Sequence, residues 1–416
     1  MNKELHNNIL KDLQIKKFCA YGFLKNLKFF EPYLIIYLMN NNINLFQIGV
    51  LITIREIIIN VFEIPSGLIA DYFGRKKEMY FCFSFYIISF IIFFFTNTFI
   101  LAAMGMVFFG LGEAFRSGTH KAMIYTYLDS KQWQNEITFV YGRTRSFSLL
   151  GSAISSFVGI ILIINVPNDS YIFLFSILPY ILDLLLIMSY PKFLDIKDKK
   201  QDTSFKDMTN DIIISLHINK KLRSIILEEG IAESIVSYIK DLIQPILKII
   251  IISSGITIIS SLSANDNLKV ILGLTYVFLN LFGAYFSKKA YLIKGKRASE
   301  TCLSIIHIIY AISCGILAIF STQYLIVCIV YVLIYILHSI RKPIFVDEID
   351  NNIDKSSRAT IISASAQLKS LFLMIFAPIF GFIADTYGIK FVIIILCIIF
   401  TVTIPLVKDK SNIKIN

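Results

Sequence analysis

Apolar runs of roughly 18–25 residues recur from Phe18 almost to the C-terminus, each long enough for a helix to cross about 30 Å of hydrocarbon. No alternating, strand-like pattern competes with them. In lipid every backbone N–H and C=O needs a partner within the protein, so continuous runs of this length can span only as helices. The chain has 416 residues and is 56% hydrophobic, more apolar surface than a soluble domain of that size could bury. It is therefore expected to be an all-α membrane protein.

The runs place spans at roughly 18–38, 45–70, 78–96, 98–120, 137–163, 171–190, 223–247, 268–287, 300–320, 322–340, 359–385 and 389–407, which makes about twelve transmembrane helices. The apolar stretch Ile249 to Leu262 is read as an extension of the seventh helix and its outer loop. Loop charge supports that parity. Twenty-nine Lys and Arg fall in the segments assigned to the cytoplasm, against Lys248, Lys269 and Lys390 outside. The segment Met1 to Lys17 is polar and lacks the apolar core and cleavage site of a signal peptide. The expectation is a multi-pass protein of the cell inner (cytoplasmic) membrane with both termini cytoplasmic. The mixed-charge stretch 191–222 reads as a linker between an N-terminal six-helix bundle, 1–190, and a C-terminal one, 223–416.

Composition excludes several other classes. The net charge of +11 resides mostly in loops between spans, so no soluble basic face for nucleic acid is implied. All six cysteines lie inside apolar runs without paired spacing or a nearby His cluster, so neither disulfides nor a metal site is indicated. No Gly-x-x-x-x-Gly-Lys-Ser/Thr loop for ATP is present, and no cofactor is implied. His307 and His338 read as isolated, which leaves a membrane-embedded enzyme or sensor as a remote alternative.

After the second span comes Gly67-Leu68-Ile69-Ala70-Asp71-Tyr72-Phe73-Gly74-Arg75-Lys76-Lys77. It resembles the signature loop of the major facilitator superfamily. Physically, Gly67 permits close helix approach, Gly74 a tight turn, and Asp71 can lie against a helix N-terminus. The resemblance implies the major facilitator fold and a conformational latch in which Asp71 meets the start of the eleventh helix near Ala359 and Arg75 pairs with Asp129. A second copy of the pattern, Gly381-Phe382-Ile383-Ala384-Asp385-Thr386-Tyr387-Gly388, falls on the opposite side by parity and cannot be the matching inner latch. The basic turn Ser287-Lys288-Lys289-Ala290-Tyr291 occupies that inner position instead. Segments Glu63 to Gly67 and Arg358 to Ser363 are similar to stretches of bacterial drug-exporter-like members. Met106, where proton-coupled exporters carry arginine, and a fifth span without a Gly-Pro pair depart from that pattern.

Ionisable side chains inside spans are costly, so each is a candidate for substrate binding or coupling. They are Lys28 and Glu31, expected to pair on one helical face; Arg55; Glu113, three residues before Arg116; Asp183; Glu229 and Glu233; and Lys369. Glu228 and Glu63 read as gating or snorkelling residues nearer the cytoplasm, while Pro32 and Pro245 read as helix interruptions at corresponding places. The expected function is secondary transport by alternating access, led by proton-coupled export of amphipathic small molecules. Uptake of a small polar solute such as a sugar or organic anion is the alternative. Expected partners are a small-molecule substrate, protons and the lipid bilayer, with the protein a monomer. Labelling tests the topology. A cysteine at Asn42 or Ser321 should react with an impermeant reagent from outside, and one at Gln201 only after permeabilisation; the reverse pattern would contradict it.

Overall fold

A computed structural model describes residues 3–195, 220–295, 297–352 and 358–408, and every regular element among these is a helix. Helices α1 (Lys3–Lys11) and α2 (Leu13–Leu24) meet at Asp12, whose carboxylate accepts from the backbone N–H of Gln14 and Ile15 and so caps α2. Then follow α3 (Leu34–Asn40), α4 (Leu45–Phe73), α5 (Arg75–Phe94), α6 (Phe99–Arg116), α7 (Thr119–Ser130), α8 (Ile137–Asn165) and α9 (Tyr171–Met188). Beyond the linker stand α10 (Lys220–Ser254), α11 (Ala264–Lys294), α12 (Ser299–Ile319), α13 (Tyr324–Asn352), α14 (Arg358–Tyr387) and α15 (Ile389–Lys408).

Among the described residues nine helical stretches are long and apolar enough to cross a membrane: α4, α5, α6 with α7, α8, α9, α11, α12, α13 and α14. The three remaining expected spans fall short for physical reasons. The first is broken into α2 and α3, α10 carries charges along much of its length, and α15 shows an apolar stretch of Ile389–Ile404 among the residues whose side chains are described. Ile100, Leu178, Ile329 and Val402 are exposed on helix surfaces, as residues facing lipid would be.

Two compact units emerge. One comprises Met1–Ile43, Ile54–Gln201 and Lys269–Leu281; the other Asn44–Thr53, Asp202–Leu268 and Phe282–Asn416. In the first, α5 packs on α6 and α9, and α2 on α8. Small residues permit this: a Cβ on Gly112 would stand 2.9 Å from the Tyr86 ring, and one on Gly151 would collide with the Phe23 carbonyl. In the second, α12 packs on α13 and α15, and α10 on α13 and α14.

Several expectations need correction. Residues 25–33 are not helical, so Lys28 and Glu31 do not share a helical face as neighbours one turn apart. Pro32 sits in this break, where no helical N–H is required of it. Pro245, by contrast, lies within a continuous α10 and interrupts nothing. Ser287 to Tyr291 is helical, because α11 runs on to Lys294 and the chain turns only at Gly295, which takes a positive φ of 56°. As expected, residues 255–263 form the loop after the seventh span.

Candidate functional site

In the first unit the broken first span places a cation beside the fourth. The Lys28 ammonium lies 3.2 Å from Glu113 Oε1, and Arg116 binds the other oxygen of the same carboxylate. Arg116 also donates to the Tyr86 hydroxyl at 3.3 Å, and Lys28 stands 5.2 Å from the Phe109 ring centre. The break leaves carbonyls without helical partners, and the Tyr180 hydroxyl donates to that of Lys25 at 3.1 Å. Of the expected residues, then, Lys28 joins Glu113 and Arg116, while Arg55 contacts its neighbour Glu56 at 2.7 Å. Asp183 is fully buried on α9, and neither carboxylate oxygen has a hydrogen-bond partner among the described residues.

The second unit holds a larger cluster. Glu228, Glu229 and Glu233 of α10 are all buried, and the Arg341 guanidinium of α13, 1% exposed, lies between the first two. Its Nη2 donates to Glu228 Oε1 at 2.7 Å, and its Nη1 is 2.5 Å from Glu229 Oε2. His307 Nδ1 of α12 is 3.2 Å from Glu228. One helical turn beyond Glu229, Glu233 faces Lys342 at 3.5 Å, His338 at 3.7 Å and Lys369 at 3.8 Å. Gly230 allows that last approach: a Cβ there would lie 2.8 Å from Leu368 Cβ and 3.4 Å from the Lys369 nitrogen. Glu229, Glu233 and Lys369 were expected and are brought together. Glu228 is a buried ion-pair partner, not a snorkelling residue, and neither histidine is isolated from acids.

At the signature loop Gly74 takes a φ of 101° and lies against the Asp195 carboxylate, which accepts from the Lys76 backbone N–H at 2.8 Å. The Lys76 ammonium donates to the carbonyls of Met188 and Tyr190, the negative end of α9. Arg75 donates to the Thr126 hydroxyl at 2.8 Å, one turn before the exposed Asp129 on α7. Gly67 makes no close approach, since a Cβ there would meet no described atom within 4 Å on this exposed part of α4. The side chains of Asp71 and Ala359 lie outside the described residues.

A family model described as Major Facilitator Superfamily matches residues 18–371. The chain belongs to that superfamily. Among solved structures it resembles a mutant of the nucleoside transporter NupG, with a TM-score of 0.79 and 11% identity over 95% of this chain and 99% of the other. A POT family transporter in complex with a thioalcohol-conjugated peptide aligns with a TM-score of 0.70 and 13% identity, over 95% and 94% of the two chains. An uncharacterized MFS-type transporter of Bacillus subtilis (strain 168), YxaM, is 26% identical over 129 residues, 31% of this chain and 32% of that one. The aligned stretch thus spans about a third of that relative. This facilitator has the fold of its family.

Arg341 was missed from sequence because Arg341-Lys342-Pro343 reads as the basic end of a span, whereas α13 continues to Asn352. The available signal was the demand for cations set by three acids on α10. Arg341→Gln would leave two buried carboxylates without their cation and should cost about 3–5 kcal/mol. A second change, Glu228→Gln, should recover part of that loss, and Lys369→Gln, at a partly exposed site, should cost under about 1 kcal/mol. Thermal unfolding of purified protein in detergent measures all three; wild-type stability in Arg341→Gln would contradict the ion-pair assignment.

Proposed function

We propose that this facilitator couples proton movement to the uptake of a small polar solute bearing an anionic group. The arrangement around Glu233 carries the reading. Its partners stand at 3.5–3.8 Å, beyond strong hydrogen bonding, and the ammonium side chains of Lys342 and Lys369 are 54% and 34% exposed. An anionic group arriving at those two lysines would draw them from Glu233. A buried carboxylate deprived of its cations is costly to leave charged, and taking up a proton removes that cost. Solute and proton would then be bound together and released together. Glu228, Arg341, Glu229 and His307 form the fixed polar base beneath this exchange. In the first unit, Glu113 between Lys28 and Arg116 is the second candidate acid, followed by Asp183 and Glu31.

Polar cargo also suits the solved relatives, a nucleoside transporter and POT family transporters in complex with a conjugated peptide and with 5-aminolevulinic acid. Export of amphipathic compounds has less support, given Met106 and the fifth span without a Gly-Pro pair. We place both termini on the cytoplasmic side of the cell membrane, on the loop-charge asymmetry. The signature-loop latch of Asp71, Gly74, Arg75 and Asp129 stands as part of the proposal, without the helix approach expected of Gly67.

Purified protein in liposomes tests this with a panel of small carboxylates, phosphates, peptides and nucleosides under an imposed pH gradient. Wild type should concentrate an anionic solute on the alkaline side. Glu233→Gln should retain solute exchange while losing concentrative uptake, and Lys342→Gln or Lys369→Gln should weaken solute binding by about tenfold, the loss of one charge-assisted contact. Concentrative uptake by Glu233→Gln would remove Glu233 from coupling.

A further inference from the structure

The stretch from Gly381 to Gly388 repeats the spacing of Gly67 to Gly74, with glycine, aspartate and glycine at the same intervals and Ile-Ala before each aspartate. Gly388 also shares the positive φ of Gly74, 90° against 101°. Its place at the opposite end of the spans leaves it outside the signature-loop latch.

The structure gives it a contact. Asp385 Oδ1 accepts from the Leu45 backbone N–H at 3.1 Å, and Oδ2 from that of Phe46 at 2.7 Å. These are first-turn N–H groups of α4, which have no partner within their own helix and form the positive end of its dipole. Four further features seat α14 against the first turns of α4, from Leu45 to Thr53. A Cβ on Gly381 would collide with the Leu45 carbonyl, and one on Gly49 with the Ala377 carbonyl. The Thr53 hydroxyl donates to the Met374 carbonyl at 2.8 Å, and the rings of Phe46 and Phe382 meet edge to face at 6.3 Å. Chain connectivity makes the contact consequential. Helix α4 carries the signature loop at its other end, so a carboxylate on its first turn ties α14 to the helix that leads into that loop.

We propose that Asp385 is a second latch of the transport cycle, acting at the end of α4 opposite the signature loop. It holds the conformation seen here and releases α4 when the transporter passes to its other state. The two glycine-bounded aspartates would then stabilise opposite conformations from opposite ends of one helix.

The test reads accessibility without any substrate, so its result is independent of the coupling proposal. A cysteine at Thr53, where α4 meets α14, is introduced into the full-length protein in liposomes. Its rate of modification by an impermeant maleimide is compared with the parent chain, with and without Asp385→Asn. The isosteric asparagine should raise the rate about two- to fivefold, as expected for loss of an exposed charge on a helix N-terminus. Gly381→Val, which parts the helices by bulk, should raise it likewise. The rise should come with unchanged thermal unfolding for Asp385→Asn. An unaltered rate in folded Asp385→Asn protein overturns the latch, as does a rise that appears only with lowered thermal stability.

Discussion

A charge held inside hydrocarbon must be matched by another, and much of this structure follows from how that demand is met. Three acids within six residues of α10 would be untenable alone. Arg341 reaches them from α13, His307 from α12 and Lys369 from α14, so the charge cluster also dictates which helices pack around α10. Glycine supplies the geometry. Without Gly230 the backbone of α14 could not come near enough for Lys369 to face Glu233. The first unit answers the same demand differently. There the helix itself is interrupted, and the freed segment 25–33 brings Lys28 to Glu113. Packing and charge balance are one problem in both units.

The two halves of the cluster differ in what they can do. Arg341, Glu228 and Glu229 are buried and closely ion-paired, which suits a fixed scaffold. Glu233 has longer, shared contacts to side chains that are partly exposed, which suits exchange of partners. A transporter needs both, since a site that only holds cannot release, and one without a rigid base cannot select.

Most of the fold was legible in the sequence, because membrane thickness turns helix length into a direct signal. The family was legible in one loop, where Gly74 indeed takes the left-handed turn its position demanded. Long-range partnership was not legible. Arg341 and Glu228 are 113 residues apart, and no spacing rule connects residues on different helices. Lys28, Glu31 and Pro32 did mark the break in the first span, yet apolar residues on both sides carried the helical reading across it. Asp195 escaped notice because it begins a polar linker, although it caps the turn into α5. The repeated glycine-aspartate pattern was visible at once, but its contact with Leu45 and Phe46 appears only when α14 is folded against α4.

Coupling, on this proposal, rests on Glu233 exchanging its lysine partners for a proton when solute binds. The most direct measurement is the proton-to-solute stoichiometry, taken from the pH gradient at which net solute flux in liposomes reverses. Wild type should reverse at a gradient set by about one proton per solute, in addition to any charge the solute carries, and Glu233→Gln should reverse where the solute gradient alone dictates. The same reversal point in both proteins would contradict the account.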